Sequence, residues 1–171
     1  SLLNFLFATS FSMAFSNDLF NIYVTIELMS LLAILLIGYN RKAYQIYAGI
    51  KYLIISSLAM SLYMTGLAIL YGSIGQLGIS EVSSMVGGNG NLKLSIALSL
   101  MVTGLAVKGG VLLFNMWLPD VYTFIDTVVS AILSGMVIKA GLIGIIRIST
   151  ITDLQPVLLV LGTITGVGGV I

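Results

Sequence analysis

Six runs of mostly apolar residues, separated by short polar breaks, make up most of this sequence. An α-helix needs about 20 mostly apolar residues to cross ~30 Å of hydrocarbon, and the runs approach that length. We predict spans over residues 1–16, 19–39, 46–71, 93–116, 127–149 and 154–171. Only 8% of the residues are charged, against about 25% in a typical soluble domain. The pattern therefore predicts an all-α, multi-pass membrane protein with a single transmembrane domain over residues 1–171.

The polar breaks predict how the helices are connected. The longest break is the Gly-, Ser- and Asn-rich stretch of residues 72–91, which is predicted to be a loop. Pro119 has no backbone N–H and disfavours helix at the residue before it, so the fourth span is predicted to break near Pro119. Asp126 stands just before the fifth span, where its side chain is expected to cap the helix.

The composition excludes several kinds of functional site. The chain has no His and no Cys, so zinc sites, haem ligation, iron–sulfur clusters and nucleophile–base pairs have no ligands or bases to draw on. We expect no metal, no cofactor and no catalytic centre in this chain. The net charge is +1 and the sequence has no basic cluster, which argues against nucleic-acid binding. Because the first residues already belong to an apolar run, we expect a piece of a longer protein or a split subunit.

Four ionisable residues fall inside the predicted spans: Glu27, Lys51, Lys108 and Lys139. A charge near the centre of a membrane helix costs ~2.5 to 3.5 kcal/mol on insertion scales, so such residues usually have a function. Lys51 stands about one turn into its span. Two interpretations stay open for it, a functional role or a long stem that reaches the interface. For Glu27, Lys108 and Lys139 we predict a function.

The three central charges can act together in moving protons. Removal from water disfavours the charged forms of lysine and glutamate, while an opposite charge nearby favours them. If Glu27 approaches Lys108, weakening that pair would release a proton towards Lys139, the candidate for the next acceptor. Hydroxyl and amide side chains could hold the connecting water, or they could make ordinary hydrogen bonds between helices. These side chains are Ser30, Ser56, Ser57, Thr103, Asn115, Ser130 and Ser134.

Five short stretches follow one another between residues 18 and 147. They are Asp18–Tyr23, Glu27–Ser30, Lys51–Leu53, Lys108 with Met116–Asp120, and Ser130-Ala131 with Lys139–Gly141. In this order they resemble the antiporter-like family of proton-translocating membrane subunits. That family includes the ion-pumping subunits of respiratory complex I, the large subunits of Mrp-type multisubunit sodium/proton antiporters, and their relatives in membrane-bound hydrogenases.

The resemblance implies a fold and a role for each charged residue. The family fold has two inverted repeats of five helices, each with a helix broken in mid-membrane, and transporters place their ion sites at such breaks. This chain resembles the first repeat plus one further helix. By position in the motifs, Glu27 resembles the family's helix-five glutamate, Lys108 the lysine of its broken helix seven, and Lys139 the helix-eight lysine that passes protons inwards. Lys51 stands at the start of helix six, where relatives often carry a lysine.

Two positions depart from the family pattern. Asn115 stands where the family commonly has His, which removes a titratable group beside the break. Asp126 stands in Ile125-Asp126-Thr127, where the family commonly has Ala-Pro before a Thr. Two interpretations of Asp126 stay open, a substitute helix start or an acidic site that alters the ion route. We count Asn115, Asp126 and Ser134 as accessory members of the polar path.

The resemblance implies a proton-translocating, or sodium/proton antiporter-type, membrane subunit of a multisubunit respiratory, hydrogenase or antiporter complex. The expected partners are the lipid bilayer and other membrane subunits, including a chain that supplies the second repeat. The expected location is the cell (inner) membrane of a prokaryote. Two other interpretations stay open: a non-conducting half-subunit that anchors its neighbours, and an independent transporter that oligomerises.

Overall fold

A computed structural model describes residues 2–86, 92–111, 115, 117–151, 162, 163 and 165. These residues fold almost entirely as helices, which confirms the prediction of an all-α fold. Of the predicted span over residues 154–171, the structure describes residues 162, 163 and 165, and the rest of that prediction lies outside the described residues.

The helices follow the order of the apolar runs, with two short additions. They are α1 (Leu2–Phe15), α2 (Leu19–Ile37), α3 (Ala43–Ile74), α4 (Ile79–Val86), α5 (Leu92–Lys108), α6 (Leu118–Phe124), α7 (Thr127–Ile132) and α8 (Ile138–Ser149). A π-helical turn, Leu133–Val137, joins α7 to α8 without a break. Among the described residues, α2, α3 and the continuous stretch Thr127–Ser149 are long and apolar enough to cross a bilayer, and α1 is a shorter apolar helix. Six crossings therefore remain a prediction.

The stretch predicted to be one long loop, residues 72–91, contains helix at both ends of its described part. Helix α3 runs on to Ile74, beyond the predicted end at residue 71, and α4 begins at Ile79. Two backbone hydrogen bonds fix the start of α4: Leu19 N–H donates to Leu77 O, and Ile79 N–H donates to Asn17 O, each at 2.9 Å. The loop prediction was wrong because this tertiary pairing stabilises a short helix that glycine and serine content alone would not predict.

The fourth span ends earlier than predicted. Helix α5 stops at Lys108 rather than near residue 116, and Gly110 follows with φ +61, a left-handed conformation that glycine adopts without strain. Pro119 lies in the first turn of α6, where its missing N–H is not needed. The break near Pro119 is therefore present, but the two glycines after Lys108 end the first half and the proline starts the second.

Helices α3 and α5 pack closely through two glycines. A side chain at Gly66 of α3 would collide with the carbonyl of Ala97, and one at Gly104 of α5 would collide with the carbonyl of Ala59. Small residues allow helix backbones in membranes to approach and gain packing contacts. The contact places the end of α5, and with it Lys108, against the middle of α3.

Candidate functional site

Lys108 is the last residue of α5, and its side chain is 2% exposed. Its amine donates hydrogen bonds to the hydroxyls of Ser30 on α2 and Ser56 on α3. The glycine contact between α3 and α5 and the early end of α5 together bring these groups into one place. The predicted buried lysine is therefore held by neutral hydroxyls contributed by two other helices.

An aromatic pair closes the other side of this amine. The Lys108 Nζ lies 5.0 Å from the ring centroid of Tyr52, within the range of a cation–π interaction. The Tyr52 ring in turn packs on Trp117 with centroids 5.5 Å apart. Trp117 immediately precedes α6, so the second half of the broken helix contributes to the wall around Lys108. We call Lys108, Ser30, Ser56, Tyr52 and Trp117 the amine cluster.

Glu27 lies one turn before Ser30 on α2 and is partly buried. It interacts electrostatically with Lys108, but no ion pair within 4 Å joins these two residues, both of which the structure describes. The predicted approach of Glu27 to Lys108 is therefore a longer-range interaction, with the serine hydroxyls as the direct partners of the amine. A carboxylate that is not in direct contact stabilises the charged form of a lysine without forming a hydrogen bond to its amine.

Lys139 lies on α8, just after the π-helical turn, and is exposed. It lines a cavity of about 140 Å³ together with Met13 of α1, Met29 of α2 and Met136 of the π-helical turn. No hydrogen bond between described residues joins Lys139 to Lys108. The predicted transfer between the two lysines therefore has no continuous set of contacts within the described part of the chain.

Lys51 forms an ion pair with Asp120. The side chains are 32% and 57% exposed, so the pair lies at the edge of the bundle and joins α3 to α6. Neither interpretation of Lys51 from the sequence included this partner. Tyr52 belongs to the amine cluster. Its neighbour Lys51 points to a different side of α3 and lies outside that cluster.

The accessory residues make contacts that do not involve Lys108. Asp126 is the N-cap residue of α7, as predicted, but its side chain makes no capping hydrogen bond and instead accepts one from Asn40 at 2.5 Å. Asn115 contributes its backbone carbonyl to Leu118 N–H at 2.9 Å, at the start of α6. Ser134 is exposed and donates to Ala131 O within its own helix. The Asp126 carboxylate therefore bonds to a side chain in the turn between α2 and α3 rather than to the first turn of α7.

A set of buried polar atoms lies between α3 and α6 and was not predicted from the sequence. The Tyr52 hydroxyl, Trp117 Nε1, the Tyr122 hydroxyl and Gln45 Oε1 are buried and have no hydrogen-bond partner among the described residues. Gln45, Tyr52 and Ser56 are spaced at seven and four residues, which places them on one face of a helix. That spacing was the sequence signal from which a shared polar face could have been predicted.

A family model described as NADH:quinone oxidoreductase/Mrp antiporter, TM, matches residues 16–171. The chain belongs to this family. The NADH-quinone oxidoreductase subunit N of Trichlorobacter lovleyi is 32% identical over 163 residues, which are 90% of this chain and 34% of that protein. The putative antiporter subunit mnhD2 of Staphylococcus aureus is 29% identical over 163 residues, which are 91% of this chain and 32% of that protein.

A solved structure shows the same fold. A chain of the Mrp complex from Dietzia sp. DQ12-45-1b matches with a TM-score of 0.84 and 24% identity, over 96% of this chain and 31% of that chain. The chain therefore spans about a third of the length of the relatives it matches. Family membership and the apolar helices identify a membrane protein with an antiporter-like fold.

Proposed function

We propose that this chain carries protons through the membrane part of a multisubunit respiratory, hydrogenase or antiporter complex, with Lys108 as the central carrier. The observation that supports this most is the environment of the amine. Lys108 is buried, yet its direct partners are hydroxyls rather than a carboxylate. A buried charge without an oppositely charged group in contact is costly, so a permanently charged lysine here has little structural justification.

Hydroxyl partners suit a group that changes its protonation state. A serine hydroxyl accepts a hydrogen bond from an ammonium and can donate one to a neutral amine after rotating. Both states of Lys108 can therefore be hydrogen-bonded in the same cluster without moving a helix. Glu27 interacts with Lys108 over a longer distance and biases the charged state.

Lys139 is the next carrier in this proposal, and its exposed position bears on where the proton goes. It faces out of the described bundle beside the small cavity lined by α1, α2 and the π-helical turn. In the proposed complex, other polar groups and water cover this face. We place the assembly in the cell membrane of a prokaryote, with further membrane subunits as partners, including one that supplies a second helical repeat.

The test uses the full-length subunit in its native complex, in membrane vesicles. Lys108→Ala and Glu27→Gln are expected to lower proton or sodium flux strongly while the complex still assembles. Flux at the normal rate in both variants, with normal assembly, contradicts the proposal. The alternative, a non-conducting half-subunit that anchors neighbours, is favoured by the absence of described contacts between Lys108 and Lys139. Lys139→Ala separates the two, because a scaffold tolerates the change and a carrier does not.

A further inference from the structure

The two serines that hold Lys108 differ in what their own hydrogens do. The Ser30 hydroxyl donates to the carbonyl of Ile26 at 2.7 Å, so only its oxygen lone pairs are available to the amine. The Ser56 hydroxyl accepts from Lys108 and donates to no carbonyl among the described residues. A hydroxyl whose hydrogen is already bound to a backbone oxygen cannot easily reverse its direction, whereas a free one can.

Tyr52 lies next to the serine whose hydrogen is free. Its side chain is 1% exposed, and its hydroxyl interacts with the hydroxyls of Ser30 and Ser56 without meeting the geometry of a hydrogen bond to either. Ser56 follows Tyr52 by one helical turn, so both groups lie on the same face of α3. Tyr52 is thus a buried hydroxyl, beside the amine, that has a donor to spare.

Beyond Tyr52, two polar groups of α6 and its preceding residue lack a hydrogen-bond partner among the described residues. These are Trp117 Nε1 and the Tyr122 hydroxyl, both of which are buried, and the Trp117 ring packs on the Tyr52 ring with centroids 5.5 Å apart. Buried polar groups in proteins nearly always have a partner, and ordered water commonly supplies it where two to four polar atoms converge. The Tyr52 and Tyr122 hydroxyls and Trp117 Nε1 are three such groups, and their side chains belong to one packed cluster.

We propose that Ser56 and Tyr52 relay protons between Lys108 and a water molecule held by Trp117 Nε1 and the Tyr122 hydroxyl, while Ser30 serves only to hold the amine. The inference rests on the proposed function. It identifies the residues that carry the proton on one side of Lys108. The route continues along α3, where Gln45 Oε1, two turns from Tyr52 on the same face, is a further buried acceptor without a hydrogen-bond partner in the described part of the chain.

The proton balance of the relay requires no oxidant or reductant. The Lys108 ammonium gives a proton to Ser56 Oγ as Ser56 gives its own hydrogen to the Tyr52 oxygen and Tyr52 gives its own to the water. Lys108 is then neutral, both hydroxyls keep one hydrogen each, and the water carries the positive charge onward. Rotation of the Ser56 and Tyr52 hydroxyls restores the starting arrangement, and the reverse sequence reloads Lys108.

A matched pair of tyrosines tests the relay. Tyr63 lies on the same helix and is equally buried, but its hydroxyl donates to Leu19 O at 2.9 Å. Tyr52→Phe keeps the ring against Lys108 and Trp117 and removes only the hydroxyl. In vesicles containing the complete complex, we expect Tyr52→Phe to lower ion flux per assembled complex by about tenfold or more, in line with the loss of a proton-transfer group. Tyr63→Phe should leave that flux within about twofold of the parent rate.

A second pair keeps the test decisive if Tyr52→Phe assembles poorly. Ser56→Ala should reduce flux in the same way, whereas its exposed neighbour Ser57→Ala should not. Lost flux in Lys108→Ala together with normal flux in Tyr52→Phe and Ser56→Ala overturns the relay and leaves the proposed function standing. Normal flux in Lys108→Ala overturns the proposed function and the relay with it. Selective loss in Tyr52→Phe and Ser56→Ala, with normal flux in both controls, supports the relay.

Discussion

The two halves of α3 are built from similar residues but use them differently. The half that follows Ser56 packs on α5 through Gly66, and the hydroxyl of its buried Tyr63 bonds to a backbone carbonyl. The half that precedes Ser56 faces α6 and carries the Tyr52 hydroxyl and Gln45 Oε1, two buried polar atoms without a hydrogen-bond partner among the described residues. The second half of α3 is close-packed and its buried hydroxyl is hydrogen-bonded. The first half carries buried polar atoms, without direct partners in the described part of the chain, beside a buried amine.

This contrast indicates where the fold gains and loses stability. Buried polar atoms that are left unsatisfied cost about 1 to 3 kcal/mol each, and holding an ordered water to satisfy them costs entropy, so the first half of α3 is destabilised relative to an apolar version of itself. The tight contact with α5 offsets that cost and keeps the broken helix in position. A site that changes its protonation state needs polar groups that can exchange hydrogen-bond partners. The close packing next to it allows the fold to tolerate the cost of these groups.

The largest expected effect comes from disrupting the close-packed half. Gly66→Leu places a side chain against the backbone of Ala97 and should lower the free energy of unfolding in detergent by about 3 kcal/mol or more, the upper end of the cost of overpacking. Gly72→Leu, on the same helix and with open space around it, is the matched control and should change little. Equal losses in the two variants would contradict the glycine contact as the source of stability.

Replacing the amine should have the opposite sign. Lys108→Met keeps most of the side-chain volume and removes the buried charge, so we expect no loss of stability and a gain of up to about 2 kcal/mol, with transport abolished. The measurement pairs detergent unfolding with ion flux in vesicles. A strong loss of stability would show that Lys108 is a structural residue and that the contrast between the two halves of α3 is misread.

How far the sequence alone predicts this arrangement depends on the residue. Lys108 was identifiable because an isolated charge in an apolar run is costly, whatever the fold. The faces of the helices were harder to predict, because membrane helices are apolar on all sides and carry little amphipathic signal. The pairing of Lys51 with Asp120 and of Asp126 with Asn40 depends on how α6 lies against α2 and α3, which follows from tertiary packing. Sequence patterns record local preference and burial cost, and they do not record which helices meet.

A smaller effect is expected from the paired hydroxyl. Tyr63→Phe removes the bond to Leu19 O and should lower the free energy of unfolding by about 1 kcal/mol. Tyr52→Phe removes a hydroxyl that has no direct hydrogen-bond partner among the described residues and bonds only to the proposed water, so it should lower stability less than Tyr63→Phe does. We therefore expect Tyr63→Phe to lower stability more than transport, and Tyr52→Phe to lower transport more than stability. A similar loss of stability in both would show that the Tyr52 hydroxyl is bonded directly to a protein group, as that of Tyr63 is, and the two halves of α3 would no longer differ.

The smallest effect should come from the ion pair at the edge of the first half. Lys51 and Asp120 are both substantially exposed, and exposed ion pairs contribute little because solvent screens them and ordering the side chains costs entropy. A double-mutant cycle with Lys51→Gln and Asp120→Asn isolates their coupling from the other effects of each substitution. We expect a coupling near the limit of measurement by detergent unfolding, and flux close to that of the parent. A large coupling would mean that this pair, rather than the packing of Trp117 on Tyr52, holds α6 against α3, and the amine cluster would then depend on its edge for its shape.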